Sequence, residues 1–295
     1  VERMANDTLL RLDRILDLAE TFLTGRPQPP DWSASCAFAW RRRRSLGSLE
    51  TLRDDALDAA PKLIGLTREQ QLVERNTAQF VAGLPANHVL LAGARGTGKS
   101  SLVKAMVARH RHQGLRLVEI DRQHLDDLPD VIDLLRDRPE RFILFLDDLS
   151  FDAGDTGYKS LKVALDGSLG APGDNVLIYA TSNRRHLVAE QASDNLGYHG
   201  ADNGSGELHP GDAVEEKISL AERFGLRLVF YPLSEDEYLA IALHWIEHLG
   251  NRPKGAKAAA ARREALAWSA ERGARSGRVA YQFARDYVGR QGLAD

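Results

Sequence analysis

Hydrophobic positions along the chain fall into three successive rhythms. In TLLRLDRILDLAETFL, Leu9, Leu12, Leu16, Ala19 and Leu23 recur at helical spacing while Arg11, Asp13, Arg14, Asp17 and Glu20 lie mostly elsewhere, which predicts an amphipathic helix. The breaker run GRPQPP ends it, and CAFAWRRRRSLGSL reads as a short strand or hairpin leading into a turn. Residues 1–62 are thus expected to form an N-terminal helical accessory region. From residue 63, short unbroken apolar runs alternate with helix-length amphipathic segments: HVLLAG, LRLVEI, RFILFLDD, NVLIYATSN and LRLVFYPL. Runs that are apolar at every position suit strands buried on both faces. Their alternation with helices predicts an α/β domain over 63–233 with a five-stranded parallel sheet. After YPLSEDEY only helical patterns remain, so 234–295 is expected to be a small all-helical lobe, opened by a capping box of Ser234 and Glu237.

Composition narrows this picture without redirecting it. A chain of 295 residues with 43% hydrophobic content can bury one large core and a smaller one. A net charge of -3 gives no global electrostatic footprint of a dedicated nucleic-acid binder. Arg41 to Arg44 lie in a region of ten basic and ten acidic side chains, so an acid-paired or solvated face is expected of them. The single Cys36 cannot make an intramolecular disulfide, and the apolar stretches near the start are too short for a signal peptide or a membrane span. The expectation is a soluble, cytoplasmic protein with no membrane partner. Residues 193–216, with five glycines, six acidic residues and no lysine or arginine, read as a mobile loop. Its His199 and His209 lack a metal-ligand spacing.

Candidate chemistry begins at GARGTGKS, residues 93–100, which satisfies G-x-x-x-x-G-K-[ST] between the strand HVLLA and the amphipathic helix SLVKAMVARH. Gly93, Ala94, Arg95, Gly96, Thr97 and Gly98 would form a loop whose backbone N–H groups face phosphate oxygens, continued by Ser101 at the start of the helix. Lys99 would reach the β- and γ-phosphates, and Ser100 would offer its hydroxyl to Mg2+. Downstream, RFILFLDD ends a buried strand in two carboxylates. Burying charge is costly in a purely structural role, whereas Mg2+ and an attacking water both call for it beside phosphates. Asp147 is therefore the expected metal support and Asp148 the expected general base; the alternative is that Asp148 caps the following helix. Asn183 closes the strand NVLIYATSN, where it is either a polar site group or a turn former. Arg223, in SLAERFGL, has no obvious ion-pair partner at helical spacing beyond its neighbour Glu222.

Taken in order, a phosphate loop, an acidic strand, an Asn-terminated strand, an arginine before the next strand and a helical lobe resemble the AAA+ ATPases. FILFLDDLSFDAGDTGYKSLKVALDGSL, NVLIYATSNRRHLV and SLAERFGLRLVFYP are most similar to the DUF815 family of that superfamily. The resemblance covers 63 to about 290 and implies a P-loop NTPase (AAA+) fold. In it Lys99 and Ser100 stand for Walker A, Asp147 and Asp148 for Walker B, and Asn183 for sensor 1. Arg223 then stands for the arginine finger that reaches a neighbouring subunit's γ-phosphate. Arg278 stands for the sensor 2 arginine, with Arg275 as runner-up, and Ile64 and Gly65 for the lining of the adenine pocket. Departures are the short DGSLGAPGDN connection, with no room for a β-hairpin insertion, and the lack of an aromatic-glycine pore motif. Both point toward a compact module of the initiator or loader type.

The function this implies is Mg2+-dependent ATP binding and hydrolysis by a homo-oligomer, in the ring form assembled with ATP, that remodels or loads a protein or nucleic-acid partner. Two other classes stand beside it. A nucleotide-dependent scaffold would bind ATP and scarcely hydrolyse it. A P-loop small-molecule kinase would need an acceptor pocket and would leave Asn183 and Arg223 without a job. Adenine is expected over guanine because SNRRH lacks the aspartate of N-K-x-D.

Overall fold

The computed structural model describes residues 30–43, 46–54, 57, 67–150, 156–166, 174–183 and 219–294. The predicted N-terminal helix, the adenine-pocket candidates Ile64 and Gly65, and the 193–216 loop lie outside the described residues.

Strands and helices alternate through the described chain as β1 (Ala37–Arg43), β2 (Leu46–Thr51), α1 (Thr67–Val81), β3 (Val89–Gly93), α2 (Lys99–His110), β4 (Leu115–Glu119), α3 (Leu128–Leu135), β5 (Arg141–Leu146), α4 (Thr156–Leu165), β6 (Val176–Ser182) and β7 (Leu226–Phe230). Three helices follow: α5 (Glu235–His248), α6 (Ala256–Glu271) and α7 (Gly277–Ala294). The sheet has seven strands in the order β2-β1-β4-β5-β6-β3-β7, not the five expected. All neighbours are parallel except the β1–β2 hairpin.

The extra strands come from the stretch assigned to the accessory region. Cys36 to Trp40 is apolar at every position and buried throughout, with Cys36 and Ala37 packing on one face of the sheet and Phe38 and Trp40 on the other. Such a segment needs a strand on its flank, and β4 provides one through Ala37↔Leu117 and Phe38↔Val118. The hairpin is then fixed from its other side. Trp40 packs over Gly47, where a Cβ would fall 2.0 Å from the indole, and the indole N–H donates to Asp127 Oδ2 at 2.9 Å. Arg42 Nη1 donates to Asp127 Oδ1 at 2.8 Å, so this arginine is acid-paired.

Both faces of the sheet are covered, which is why its strands read as unbroken apolar runs. Along β5, Phe142, Leu144 and Leu146 join the core under α3 and α4, while Ile143 and Phe145 join the core under α1 and α2. The period-2 alternation of side chains thus feeds two cores from one run. The three C-terminal helices form their own core around Tyr238, Ala242, Ile246, Ala261, Ala265, Phe283 and Ala284. Helix α5 opens with the expected capping box: Ser234 Oγ accepts from Glu237 N–H at 3.3 Å and Ser234 N–H donates to Glu237 Oε2 at 2.8 Å.

One titratable group is built into the strand ends. His88 Nδ1 accepts the Ile178 N–H at 3.0 Å, which requires an unprotonated Nδ1. Burial pushes its pKa down from 6.5 to about 4. A group depressed on folding contributes stability that is complete above its unfolded pKa and lost as pH falls, so the loss runs from pH 6.5 toward 4. Urea unfolding across this window is expected to show wild type losing about 2 kcal/mol more than His88→Asn, which has no imidazole to charge.

Candidate functional site

Three strand ends and one helix start converge at the carboxyl edge of the sheet. The loop after β3 reverses direction through Gly96 and Gly98, whose φ values of 71° and 95° lie in the left-handed region that glycine tolerates. Gly93 is needed for another reason: paired with Phe230 of β7, a Cβ there would fall 2.0 Å from the Phe230 carbonyl oxygen. The loop delivers the chain into α2, so the helix N-terminus and its unpaired N–H groups face the site.

Lys99, the first residue of α2, is only 6% exposed. Its Nζ donates to the carbonyls of Gly93 at 3.0 Å and Ala94 at 2.7 Å and to Asn183 Oδ1 at 3.1 Å. Burial lowers its pKa, opposed by the nearby charges of Asp147 and Asp148. With Oδ1 turned to the lysine, the Asn183 amide presents Nδ2 to Asp148 Oδ1, and they hydrogen-bond. Asp148 also meets Arg95, Nη2 to Oδ2 at 3.4 Å. Its φ of 55° makes Asp148 the one non-glycine residue with positive φ among the described residues. Strain of this kind costs about 1 kcal/mol or more and persists where surrounding contacts over-determine it. Those contacts are Asp148 N–H to Thr181 Oγ1 at 2.9 Å and Leu149 N–H to the Thr181 carbonyl at 2.7 Å.

Asp147 points the other way. Its Oδ1 accepts from Ser100 Oγ at 2.7 Å and from Thr181 Oγ1 at 2.6 Å. A hydroxyl and a carboxylate at the mouth of a phosphate loop are hard oxygen donors of the kind Mg2+ takes alongside substrate phosphates. No cluster of three or more His, Cys, Asp or Glu suited to a metal occurs among the described residues, so an all-protein metal cage is not what these donors form. They fit a cation that a phosphate ligand would help to hold.

The surrounding cavity has a volume of about 390 Å³ and is walled on one side by Arg95 to Ser101, Asp147, Asp148, Thr181 and Asn183. Its opposite wall belongs to the helical lobe: Ile241 and Trp245 from α5, and Gly277, Arg278 and Tyr281 from α7. Trp245 and Tyr281 rings meet at 4.5 Å between centroids. Arg278 is exposed and lines this cavity, whereas Arg275 lines a separate one and pairs with Glu235 at 3.5 Å. The lobe touches the loop directly, since Gly277 N–H donates to the Gly96 carbonyl at 2.7 Å.

The sequence candidates therefore divide. Lys99, Asn183 and Asp148 form one hydrogen-bonded chain and Ser100 and Asp147 another, joined through the Thr181 hydroxyl. Arg95, Gly96, Thr97, Gly98, Ser101 and Arg278 line the cavity; Gly93 and Ala94 sit behind it and contribute carbonyls to Lys99. Arg223 does not line it. Nor is Arg223 without a local partner, as its neighbours in sequence suggest: its Nε donates to Asp166 Oδ1, 57 residues earlier, at the end of α4. Thr181, Ile241, Trp245 and Tyr281 escape the sequence reading. Ile241 and Trp245 stand four apart on an amphipathic helix, the same spacing that core positions show, and only packing tells the two apart.

Three comparisons bear on this arrangement. The profile of the family described as "Protein of unknown function (DUF815)" matches residues 33–291. No curated protein matches the chain. Among solved structures, a RuvB mutant of Thermotoga maritima superposes with a TM-score of 0.50 at 18% identity, covering 75% of this chain and 62% of that one. A second T. maritima RuvB mutant gives 0.47 at 18% identity, over 75% and 61% of the two chains. The Aeropyrum pernix ORC2 protein, in ADPNP-ADP complexes, gives 0.43 at 14% identity, over 76% and 68%. The chain thus spans about 62% of the RuvB chain it matches, and the likeness is one of fold.

The contact of the lobe with the loop leaves no room for a side chain at Gly96, where a Cβ would fall 2.6 Å from Ser276 Cβ. Gly114, with a comparable φ of 88° and nothing within 4 Å, isolates the cost of backbone strain alone. Gly114→Ala is expected to lose about 1 kcal/mol in urea unfolding and Gly96→Ala at least about 1 kcal/mol more, because loop or lobe must also move.

Proposed function

We propose that this chain, which belongs to the DUF815 family and has the fold of the AAA+ ATPases, binds and hydrolyses Mg-ATP as a homo-oligomer and couples nucleotide state to remodelling or loading of a macromolecular partner. The observation that carries the reading is the Lys99–Asn183–Asp148 network lying beneath a left-handed glycine loop, in a cavity closed by a separate helical lobe. A lone lysine or a lone carboxylate would not need that arrangement.

In this reading the lysine exchanges its backbone carbonyl acceptors for phosphate oxygens of the β- and γ-groups, a better match for an ammonium. Loop and helix N–H groups hold the remaining phosphate oxygens. Ser100 and Asp147 would hold Mg2+, which would supply charge neutralisation at the transferring phosphoryl group. Asn183 orients the attacking water and Asp148 takes its proton. Arg278 approaches from the lobe, so the lobe's position reports what is bound. Ile241, Trp245 and Tyr281, on the lobe side of the same cavity, would take the base, since aromatic faces suit stacking. Among the described residues no helix is long and apolar enough to cross a membrane. The partner, protein or nucleic acid, is proposed only as a class.

A scaffold that binds ATP with little hydrolysis is the second reading, favoured by one fact: Asp148 is already engaged by both Arg95 and Asn183. Calorimetry and steady-state turnover separate the two. Lys99→Ala is expected to lose detectable Mg-ATP binding. Asp148→Asn should keep binding and slow hydrolysis by about 10²-fold. Wild type that binds ATP without turnover would select the scaffold.

We assign Arg223 to a neighbouring subunit's γ-phosphate from its place ahead of β7 in the AAA+ order of elements; it does not line the cavity of its own chain. Arg223→Ala should bind ATP yet turn over about 10³-fold more slowly. Mixed with Lys99→Ala, it should regain activity at interfaces that pair an intact loop with an intact arginine. No recovery in oligomers shown by mass to contain both chains would make Arg223 a local structural group.

A further inference from the structure

Arg223 is held in a way that its sequence neighbours do not suggest. Its backbone is pinned on both sides by buried residues, Leu220 and Ala221 before it and Phe224 after it, each 1% exposed. The side chain then leaves the core. Its Nε donates to Asp166 Oδ1, and its Nη1 donates to the Ser219 carbonyl at 2.5 Å and to Ser219 Oγ at 2.8 Å. A guanidinium carries five N–H groups in a fixed plane. One at Nε and two at Nη1 are thereby committed, and the two at Nη2 have no acceptor among the described residues. The side chain retains 21% exposure, with Nε and Nη1 held from two sides and Nη2 left open between them.

This rests on the reading of Arg223 given above, and it adds to it. We propose that Asp166, with Ser219, is a positioning residue that holds Nε and Nη1 of Arg223 from two sides so that Nη2 is presented to an anionic oxygen on a second copy of the chain. An unclamped arginine loses most of its rotamer freedom only when it docks, and that loss opposes the step it assists. A clamped one has lost it beforehand, and misplacing a reacting group costs rate more than affinity. Asp166 suits the task by its place. It follows Leu165 at the end of α4, whose Leu161, Ala164 and Leu165 are buried in the same core as Leu220 and Phe224. One core therefore fixes both ends of the clamp.

Turnover by Asp166→Asn, Asp166→Glu, Arg223→Ala and the double variant Asp166→Asn/Arg223→Ala tests this. Asp166→Asn is expected to hydrolyse ATP about tenfold more slowly than wild type, with ATP affinity within about twofold and an unchanged unfolding midpoint, and Asp166→Glu to recover part of the loss. The double variant should be no slower than Arg223→Ala, because a clamp has no effect once the clamped group is gone. Mixing Asp166→Asn with Lys99→Ala should restore turnover, since the second chain brings an intact clamped arginine to the first chain's loop. If Asp166→Asn lowers the unfolding midpoint, Ser219→Ala, which removes one acceptor and leaves the carbonyl, replaces it in the same comparison. The proposal is overturned if Asp166→Asn turns over like wild type, or if its loss multiplies with that of Arg223→Ala. Should Arg223→Ala itself match wild type, the assignment of Arg223 fails and the clamp with it, an outcome distinct from the other two.

Discussion

A buried ammonium must have acceptors, and the candidate site is organised around the one at Lys99. Placing a cation at 6% exposure without them would cost several kcal/mol. The carbonyls of Gly93 and Ala94 can turn toward Nζ only because the loop curls through left-handed glycines. The third acceptor, Asn183 Oδ1, fixes which way that amide faces and so which atom it offers to Asp148. Loop, lysine, asparagine and carboxylate are thus consequences of a single requirement.

The sheet makes such a network possible by bringing chain ends together that lie far apart in sequence. β3, β5 and β6 are adjacent and parallel, so their carboxyl ends deliver Gly93, Asp147 and Asn183 to one edge. Bonds from Asp148 N–H to the Thr181 hydroxyl and from Leu149 N–H to the Thr181 carbonyl then hold Asp148 in its positive-φ conformation, within hydrogen-bond reach of Asn183. At the opposite margin of the sheet, the β1–β2 hairpin closes the flank of β4 with two buried tryptophan and phenylalanine side chains, Trp40 and Phe38. The helical lobe completes the enclosure, with Gly277 N–H donating to the Gly96 carbonyl.

Electrostatics at the site follow from this geometry in a graded way. Asp147 and Asp148 are neighbours in sequence, yet the first accepts hydroxyl hydrogen bonds and the second meets an amide and a guanidinium. The peptide turn between them thus gives two adjacent carboxylates different partners. Arg95 and Asp148 are both well exposed, so their pair is worth at most about 1 kcal/mol and is readily exchanged. Arg223, by contrast, is anchored through three donors and is not free to wander.

Sequence alone determined what depends on contiguous residues. The glycine spacing of 93–100, the strand ending in Asp147 and Asp148, the capping box at Ser234 and the alternation of strands with helices are local patterns, and local backbone preference and periodicity suffice to specify them. Tertiary structure decided what depends on distant residues. The apolar run at Cys36 to Trp40 has no intrinsic reason to lie beside β4, and the sheet gained two strands that its five strongest runs did not announce. Thr181 becomes a support of Asp147 because β6 lies beside β5; Trp245 and Tyr281 become cavity wall because the lobe closes over the loop; Asp166 meets Arg223 because one core packs α4 against the turn before β7. Each of these pairings joins residues tens of positions apart, and the path of the chain, not its periodicity, sets which of them meet.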